Sequence, residues 1–418
     1  MKMKHFIIIY AYFLFLICCC ARQDIQDIQV IQIDPELSVQ GTLMLSEVVE
    51  SIEYILLETN ERCLIGTIRR SQDIKVSNNY ILVYCSNTQK CYLFNRSGTF
   101  IGKIGDRGNG PGEYMNVSLF AIDEENGHII LSTRAGRETG QLFYYSLEGT
   151  YLHTISVDHR LCGPICAQFN TQYVAMHLND PFKEGEPPFN YSIFSQNYEL
   201  LVQKVKNIDF VSTIRGVGTY PGDYWYYLYV GELHVKNAIL NDTLFRISKN
   251  LDFVPKYIID SGKYAFSSQI LSDPTLYQKE FHSRIFLCSI FETKSSVLLS
   301  YIYNNDIYYQ SYNKRDGKSI LFDSGKDISG DFFGVNVASG IPNDFDGGLD
   351  FWPKQQNGYL LVTWYNASLF EENSNKRIPK GTQRDQDQLT KVTTEVMNYH
   401  TNTHTEANPV VVIAKMKQ

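Results

Sequence analysis

Histidine is the side chain best suited to bind a metal or to exchange protons near neutral pH, and the chain has nine. None falls in an H-x-H or H-E-x-x-H pattern, so no local zinc motif is present. His128, His153, His177, His234 and His282 are widely separated and could act together only if the fold brought them to one axis. Scattered histidines more often end as surface or satisfied core residues, so neither a metal nor another cofactor is expected. Asp344 and Asp346 begin like a calcium loop but lack its later ligands, and Gly347 and Gly348 favour a turn there. No G-x-S-x-G nucleophile elbow occurs. The glycines at 108, 110 and 112 do not make G-x-G-x-x-G, and the Lys-Ser/Thr of a phosphate loop is missing. No catalytic residue is therefore assigned. Binding is the better prospect, because Tyr220-Pro221-Gly222-Asp223-Tyr224-Trp225-Tyr226-Tyr227-Leu228-Tyr229 offers six large rings within ten residues. Such rings stack on sugars or peptide side chains when they face a channel mouth, and pack between sheets when they do not. Tyr220, Tyr224, Trp225 and, beside a glycine-rich turn, Trp352 are the ligand-binding candidates.

The elements that must position these residues are strands. Short alternating runs dominate from Ile28 to Tyr365, with 29 tyrosines, which is an all-β pattern. An aromatic or apolar strand, a polar turn and a second strand recur around Gly98, Gly149, Asn197, Asn250 and Gly317. Gly and Asn suit the positive φ that tight hairpins need. These turns lie 51, 48, 53 and 67 residues apart. A period near fifty with about four strands per unit predicts the blades of a β-propeller. Five hairpins plus the strand-like Tyr359–Tyr365 and Pro409–Ala414 predict six blades, with Ile28–Ile33 as the strand that closes the ring in the sixth. Between those last strands, Leu389, Val392, Val396 and Tyr399 form one helical stripe behind a Thr382/Asp385 capping box, predicting an inserted helix over about 382–400.

The start of the chain reads as an export signal: Lys2 and Lys4, then an apolar run from Phe6 to Cys20, then Arg22, Gln23 and Asp24. That run is shorter than the roughly 20 residues of a membrane-spanning helix. Cleavage after residue 19 leaves 36 basic against 45 acidic side chains, a formal charge of −9, which argues against nucleic acid as a partner. The expected organisation is thus a signal over 1–19 and a single domain over 20–418. Six cysteines remain beyond the first triplet. Cys85 and Cys91 flank a turn and could pair across a hairpin, and Cys162 and Cys166 could close a small loop; buried free thiols are the alternative.

Leu16-Ile17-Cys18-Cys19-Cys20 resembles the lipobox of bacterial lipoproteins, with Cys20, or else Cys19, as the acylated residue. Gly105-Asp106-Arg107-Gly108-Asn109-Gly110-Pro111-Gly112-Glu113-Tyr114 resembles the G-x-GPGE-[FY] loop of six-bladed β-propeller lipoproteins of Bacteroides-type bacteria, relatives of the NHL propellers. Asn241–Ile247, Asp344–Gly348 with Phe351–Pro353, and Asn408–Val412 fit the same resemblance in order along the chain. It implies an outer-membrane lipoprotein, facing the periplasm or the surface; with no catalytic motif in the sequence, a binding or scaffold protein is the role expected. A glycan, a peptide or another envelope protein would be its partner, besides the membrane that holds its lipid. The alternative is a metal-dependent propeller enzyme of the lyase or lactonase type, with its site in the central channel. Replacing Cys18, Cys19 and Cys20 together by Ser is expected to abolish labelling with radioactive palmitate and to free the chain from the membrane fraction; retained labelling contradicts the lipobox assignment.

Overall fold

The computed structural model describes residues 28–37, 41–65, 68, 73–85, 87–134, 139–158, 165–169, 172–176, 189–205, 224–237, 242–327, 339–372 and 382–418. Its architecture is all-β and propeller-like. Strands β1 (Gln29–Gln32) and β2 (Val49–Leu56) precede a first four-stranded sheet of β3 (Ile74–Val76), β4 (Tyr80–Cys85), β5 (Lys90–Asn95) and β6 (Phe100–Lys103). A two-stranded pair, β7 (Asp106–Arg107) and β8 (Glu113–Tyr114), leads to a second sheet of β9 (Leu119–Asp123), β10 (His128–Arg134), β11 (Thr139–Ser146) and β12 (Tyr151–Asp158). The third sheet comprises β13 (Ile165–Phe169), β14 (Gln172–Met176), β15 (Phe189–Phe194) and β16 (Leu200–Val205). Next come β17 (Tyr224–Tyr229), β18 (Glu232–Asn237), β19 (Thr243–Ile247) and β20 (Phe253–Asp260), then a sheet of β21 (Phe286–Glu292), β22 (Ser296–Tyr303), β23 (Asp306–Asn313) and β24 (Ser319–Asp327). The chain ends with β25 (Gln355–Asn357), β26 (Leu360–Tyr365), a helix over Gln383–Thr403 and β27 (Val410–Met416).

Two groups of strands join into one nine-stranded sheet, in the order β1-β20-β19-β18-β17-β25-β26-β27-β2. The join is a single parallel pair, Leu228 with Asn357. Elsewhere the apolar faces alternate along each strand, as a period of two requires. In β27, Val410 and Val412 enter a core shared with β21–β24, while Val411 and Ile413 enter a core shared with β3, β4 and β5. Ile290 and Phe291 in β21 likewise face opposite cores. Each sheet is thereby sandwiched between its neighbours.

Ile28–Ile33 does not pair with the last strands, β26 and β27. Gln29–Gln32 pairs in parallel with Tyr257–Asp260 of β20, and Ile31 and Ile33 sink into the core between β17–β20 and β21–β24. The strand beside β27 is β2, with Glu53 opposite Ile413 and Tyr54 opposite Val412. Its Ile52 and Tyr54 match one core and its Ile55 the other, a two-sided pattern that the exposed Ile28 and Val30 of β1 cannot supply. The helix carries a Thr382/Asp385 capping box and buries Leu389, Val392 and Val396.

The hairpin turns show where glycine is needed. Gly98, Gly149 and Gly317 have φ of 88°, 86° and 71°. At the other two turns the left-handed residue is not the Asn but the one after it, Tyr198 at 63° and Leu251 at 67°. Tyr198 stacks on Phe194 at 4.5 Å and Leu251 packs on the adjoining core, which offsets the backbone cost. Cys85 and Cys91 sit on adjacent registers of one hairpin and face opposite cores, so no disulfide joins them; Cys63 is a free thiol too. Cys162 lies outside the described residues, as does the side chain of Cys166.

A Cβ on Gly98 would lie 2.4 Å from the carbonyl oxygen of Leu56 at the end of β2, whereas one on Gly127 would meet nothing within 4 Å. Gly127→Ala is expected to cost about 1–2 kcal/mol in urea unfolding, from its φ alone, and Gly98→Ala at least about 1–2 kcal/mol more. Equal costs would show that the turn does not press on β2.

Candidate functional site

The loop over Gly105–Tyr114 is held rigid from within. Asp106 and Glu113 pair across its neck, as do Arg107 and Tyr114. The Glu113 carboxylate accepts the Gly110 N–H at 2.8 Å, the Tyr145 hydroxyl donates to the Gly112 carbonyl at 2.9 Å, and the Tyr114 hydroxyl donates to the Ile104 carbonyl at 3.0 Å. A Cβ on Gly108 would lie 1.9 Å from Glu113 Oε2, so a side chain there would push the carboxylate from its place. This folded loop forms one wall of a cleft of about 770 Å³. Thr133, Gln141, Phe143, Tyr151 and Thr154 of the second sheet form the other. The Tyr151 and Thr154 hydroxyls lie 3.0 Å apart. Among the described residues of the lining, Glu113 is the one carboxylate, and none is a lysine, arginine or histidine. The chemistry on offer is therefore uncharged hydrogen bonding beside aromatic faces.

A second polar cluster forms where β17–β20 meets β21–β24. Glu292 ends β21 and is 2% exposed. Its carboxylate is held by Lys256 at 3.0 Å, Lys314 at 2.6 Å, the Tyr257 hydroxyl at 3.0 Å and the Tyr227 hydroxyl at 3.1 Å. Gln356 of β25 clasps its backbone, accepting from the N–H at 2.9 Å and donating to the carbonyl at 2.7 Å. Both ammonium groups lie over the Tyr229 ring, at 5.8 and 4.9 Å. Burial pushes the Glu292 carboxyl up, but Lys256, Lys314 and His234 outweigh it and leave it below the ordinary range. The Tyr227 and Tyr257 hydroxyls are pushed well up, first by burial and then by Glu292.

His234 stacks on Tyr227 at 4.7 Å, and its Nε2 faces Lys256 Nζ at 2.9 Å, with Glu232 and Glu292 both 3.8 Å away. The ammonium donates, so Nε2 accepts and the ring proton sits on Nδ1. Burial first, and then Lys256, lower the His234 pKa to about 3.

The residues singled out from sequence are dispersed. Tyr220 lies outside the described residues; Tyr224 and Trp225 fall in β17, their side chains outside the described set. Trp352 packs on Tyr309 with ring centroids 4.6 Å apart and donates its indole N–H to Ser289 at 2.8 Å. His128 and His153 flank Tyr144, His282 sits against Phe281, and His177 is outside the described residues. Among the described residues no three His, Cys, Asp or Glu side chains converge in a group able to hold a metal. Asp344 accepts from Ser46 and Asp346 from Tyr54, fastening the loop at 343–348 to the start of the domain. Sequence reasoning missed Glu292, Lys256 and Lys314. Nothing local marks them, because the middle of β20, the end of β21 and the turn after β23 supply them.

These features define an all-β, propeller-like protein with a loop-walled cleft on the flank of one sheet. The chain belongs to the family described as Domain of unknown function (DUF4934), whose model matches residues 28–415. A solved structure from Bacteroides fragilis, of a protein named for its expected export, shares the fold: TM-score 0.62 at 15% identity, over 93% of this chain and 99% of that one. A member of the DUF4221 family from Bacteroides vulgatus aligns over 88% of this chain and 97% of its own at 10% identity, with a TM-score of 0.44. No protein of curated description matches. Among the described residues no helix is long and apolar enough to cross a membrane.

Both buried groups bear on acid stability. Glu292 is ionised in the fold below its unfolded pKa, so its contribution is present above that value and is lost as pH falls through the lower, folded one. His234 stays neutral in the fold down to about 3, while the unfolded chain takes up its proton near 6.5, so stability also falls as pH drops between those values. At about 1.4 kcal/mol per unit, the histidine alone accounts for up to roughly 5 kcal/mol. His234→Gln is expected to flatten the loss of urea stability between about pH 6.5 and 4; an unchanged slope would place the titrating groups elsewhere.

Proposed function

We propose that this chain is a lipid-tethered binding protein of the bacterial envelope, anchored through Cys20 in the outer membrane, whose body is a closed six-bladed propeller. Six interfacial cores support the blade count, each lying between one sheet of the series and the next, with the last core joining β2, β26 and β27 to β3, β4 and β5. In this reading β17–β20 and β25–β27 with β2 are separate blades, closure is the β2–β27 pairing, and the helix at 383–403 is an insertion in the last blade.

The observation that carries the binding role is the lining of the cleft at Gly108–Glu113. A cavity of about 770 Å³ lies in the range of small-ligand sites. Its amide and hydroxyl groups (Gln141, Asn116, Thr133, Thr154, Tyr151) with Phe143 suit a neutral glycan or an uncharged peptide segment. Glu113 accepts the Gly110 N–H of its own loop, and among the described lining residues no second titratable carboxylate or histidine faces it. The aromatic strand at Tyr224–Tyr229 is the competing surface.

The test is a calorimetric screen of neutral oligosaccharides and peptides, followed by variants against any hit. Gln141→Ala and Tyr151→Ala should each weaken binding about five- to 150-fold, with Tyr224→Ala and Trp225→Ala near wild type. Binding lost in folded Tyr224 or Trp225 variants and kept in the cleft variants would move the site to β17.

A further inference from the structure

Strand β1 shows where a tether would leave the body. It runs parallel to β20 with Gln29 opposite Tyr257, so Ile28 enters the sheet level with Lys256 and the N-terminal end of β1 is the end nearer the β19–β20 turn. Eight residues separate Cys20 from Gln29. Fully extended, that stretch spans about 30 Å, which keeps this edge close to whatever holds Cys20.

The same end of the molecule is locally basic. The β19–β20, β21–β22 and β23–β24 turns come together there, because Lys256, Glu292 and Lys314 touch. These turns expose Lys249, Lys294, Arg315 and Lys318 against Asp252 and Asp316. Lys256 and Lys314, 22% and 19% exposed, face one buried carboxylate and add a further net positive charge. Across the same end, at the turns of the second sheet, the charged residues are Glu124, Glu125 and Glu148. In a chain of net charge −7, cations thus gather on the side where the tether leaves.

We infer that the turns at Lys249, Lys294 and Arg315–Lys318 dock on an anionic lipid surface, so that the propeller lies against its membrane by this edge. The inference rests on the tether proposed above, which brings the edge within reach; the charge then selects the lipid. Each basic residue near an anionic bilayer adds about 1 kcal/mol of attraction, which falls off within a Debye length. Three net charges therefore bias orientation on the order of 100-fold.

The experiment places the mature protein, isolated from membranes, on vesicles of phosphatidylcholine alone or with about one-third phosphatidylglycerol. Acylation is read from intact mass, and lysine acetylation rates are read by mass spectrometry. Lys249, Lys294 and Lys318 should be protected on the anionic vesicles and not on the neutral ones. Lys90, exposed on the β4–β5 turn at the opposite end of its sheet, should label equally on both. Combined Lys249→Glu, Lys294→Glu and Arg315→Glu should leave the remaining reporter, Lys318, labelling alike on both vesicles, with the melting temperature unchanged. An acylated chain whose three lysines label alike on both vesicles overturns the docking surface and keeps the tether. A chain without acyl mass that still sediments with anionic vesicles, protected at those lysines, keeps the docking surface and overturns the tether.

Discussion

A four-stranded sheet with apolar side chains on both faces cannot leave either face in water, and every other feature of this molecule follows from that constraint. Val410 to Ile413 alternate into two different cores, and so do Ile290 and Phe291. Each sheet therefore needs a neighbour on both sides, and the series ends without exposed faces only if the last sheet packs on the first. Val362, Trp364 and Val411 packed against Ile74, Val83 and Phe94 form that contact. The sheets then supply a stiff frame, and their ends are left for loops and turns to do chemistry.

Much of this frame was legible because it is local. The alternation of strands, the turns at Gly98, Gly149 and Gly317 and the capped helix stripe each lie within a few residues of sequence. The errors arose where a partner is distant. Ile28–Ile33 and Val49–Leu56 both look like strands, and only the cores that receive Ile31, Ile33, Ile52 and Ile55 decide which one lies beside β27. Asn197 and Asn250 were natural choices for positive φ, yet Tyr198 and Leu251 take it because their side chains gain packing there.

The sites were less legible than the frame for the same reason. The Glu113 loop could be recognised as a folded turn, but the wall opposite it is drawn from Thr133, Gln141, Phe143, Tyr151 and Thr154 on three strands of another sheet. The Glu292 cluster draws on Tyr227, His234, Lys256, Tyr257, Lys314 and Gln356. Burying a carboxylate costs several kcal/mol unless its oxygens are fully matched, and here four donors match it. The cluster ties the end of β21 to β17, β20 and β25, so a polar knot fixes the relative placement of sheets that are otherwise joined by non-directional apolar contact.

The account stands on the last sheet being completed by strands from both parts of the chain, and native-state hydrogen exchange measures that directly. The amides of Ile52, Glu53 and Tyr54 in β2 and of Val411 to Ala414 in β27 should exchange only through global unfolding, with the same free energy and the same denaturant dependence as the core amides of β10 and β22. Exchange of β2 or β27 at a much lower free energy, independent of the rest, would mean that these two strands fray apart and that the fold does not depend on their pairing.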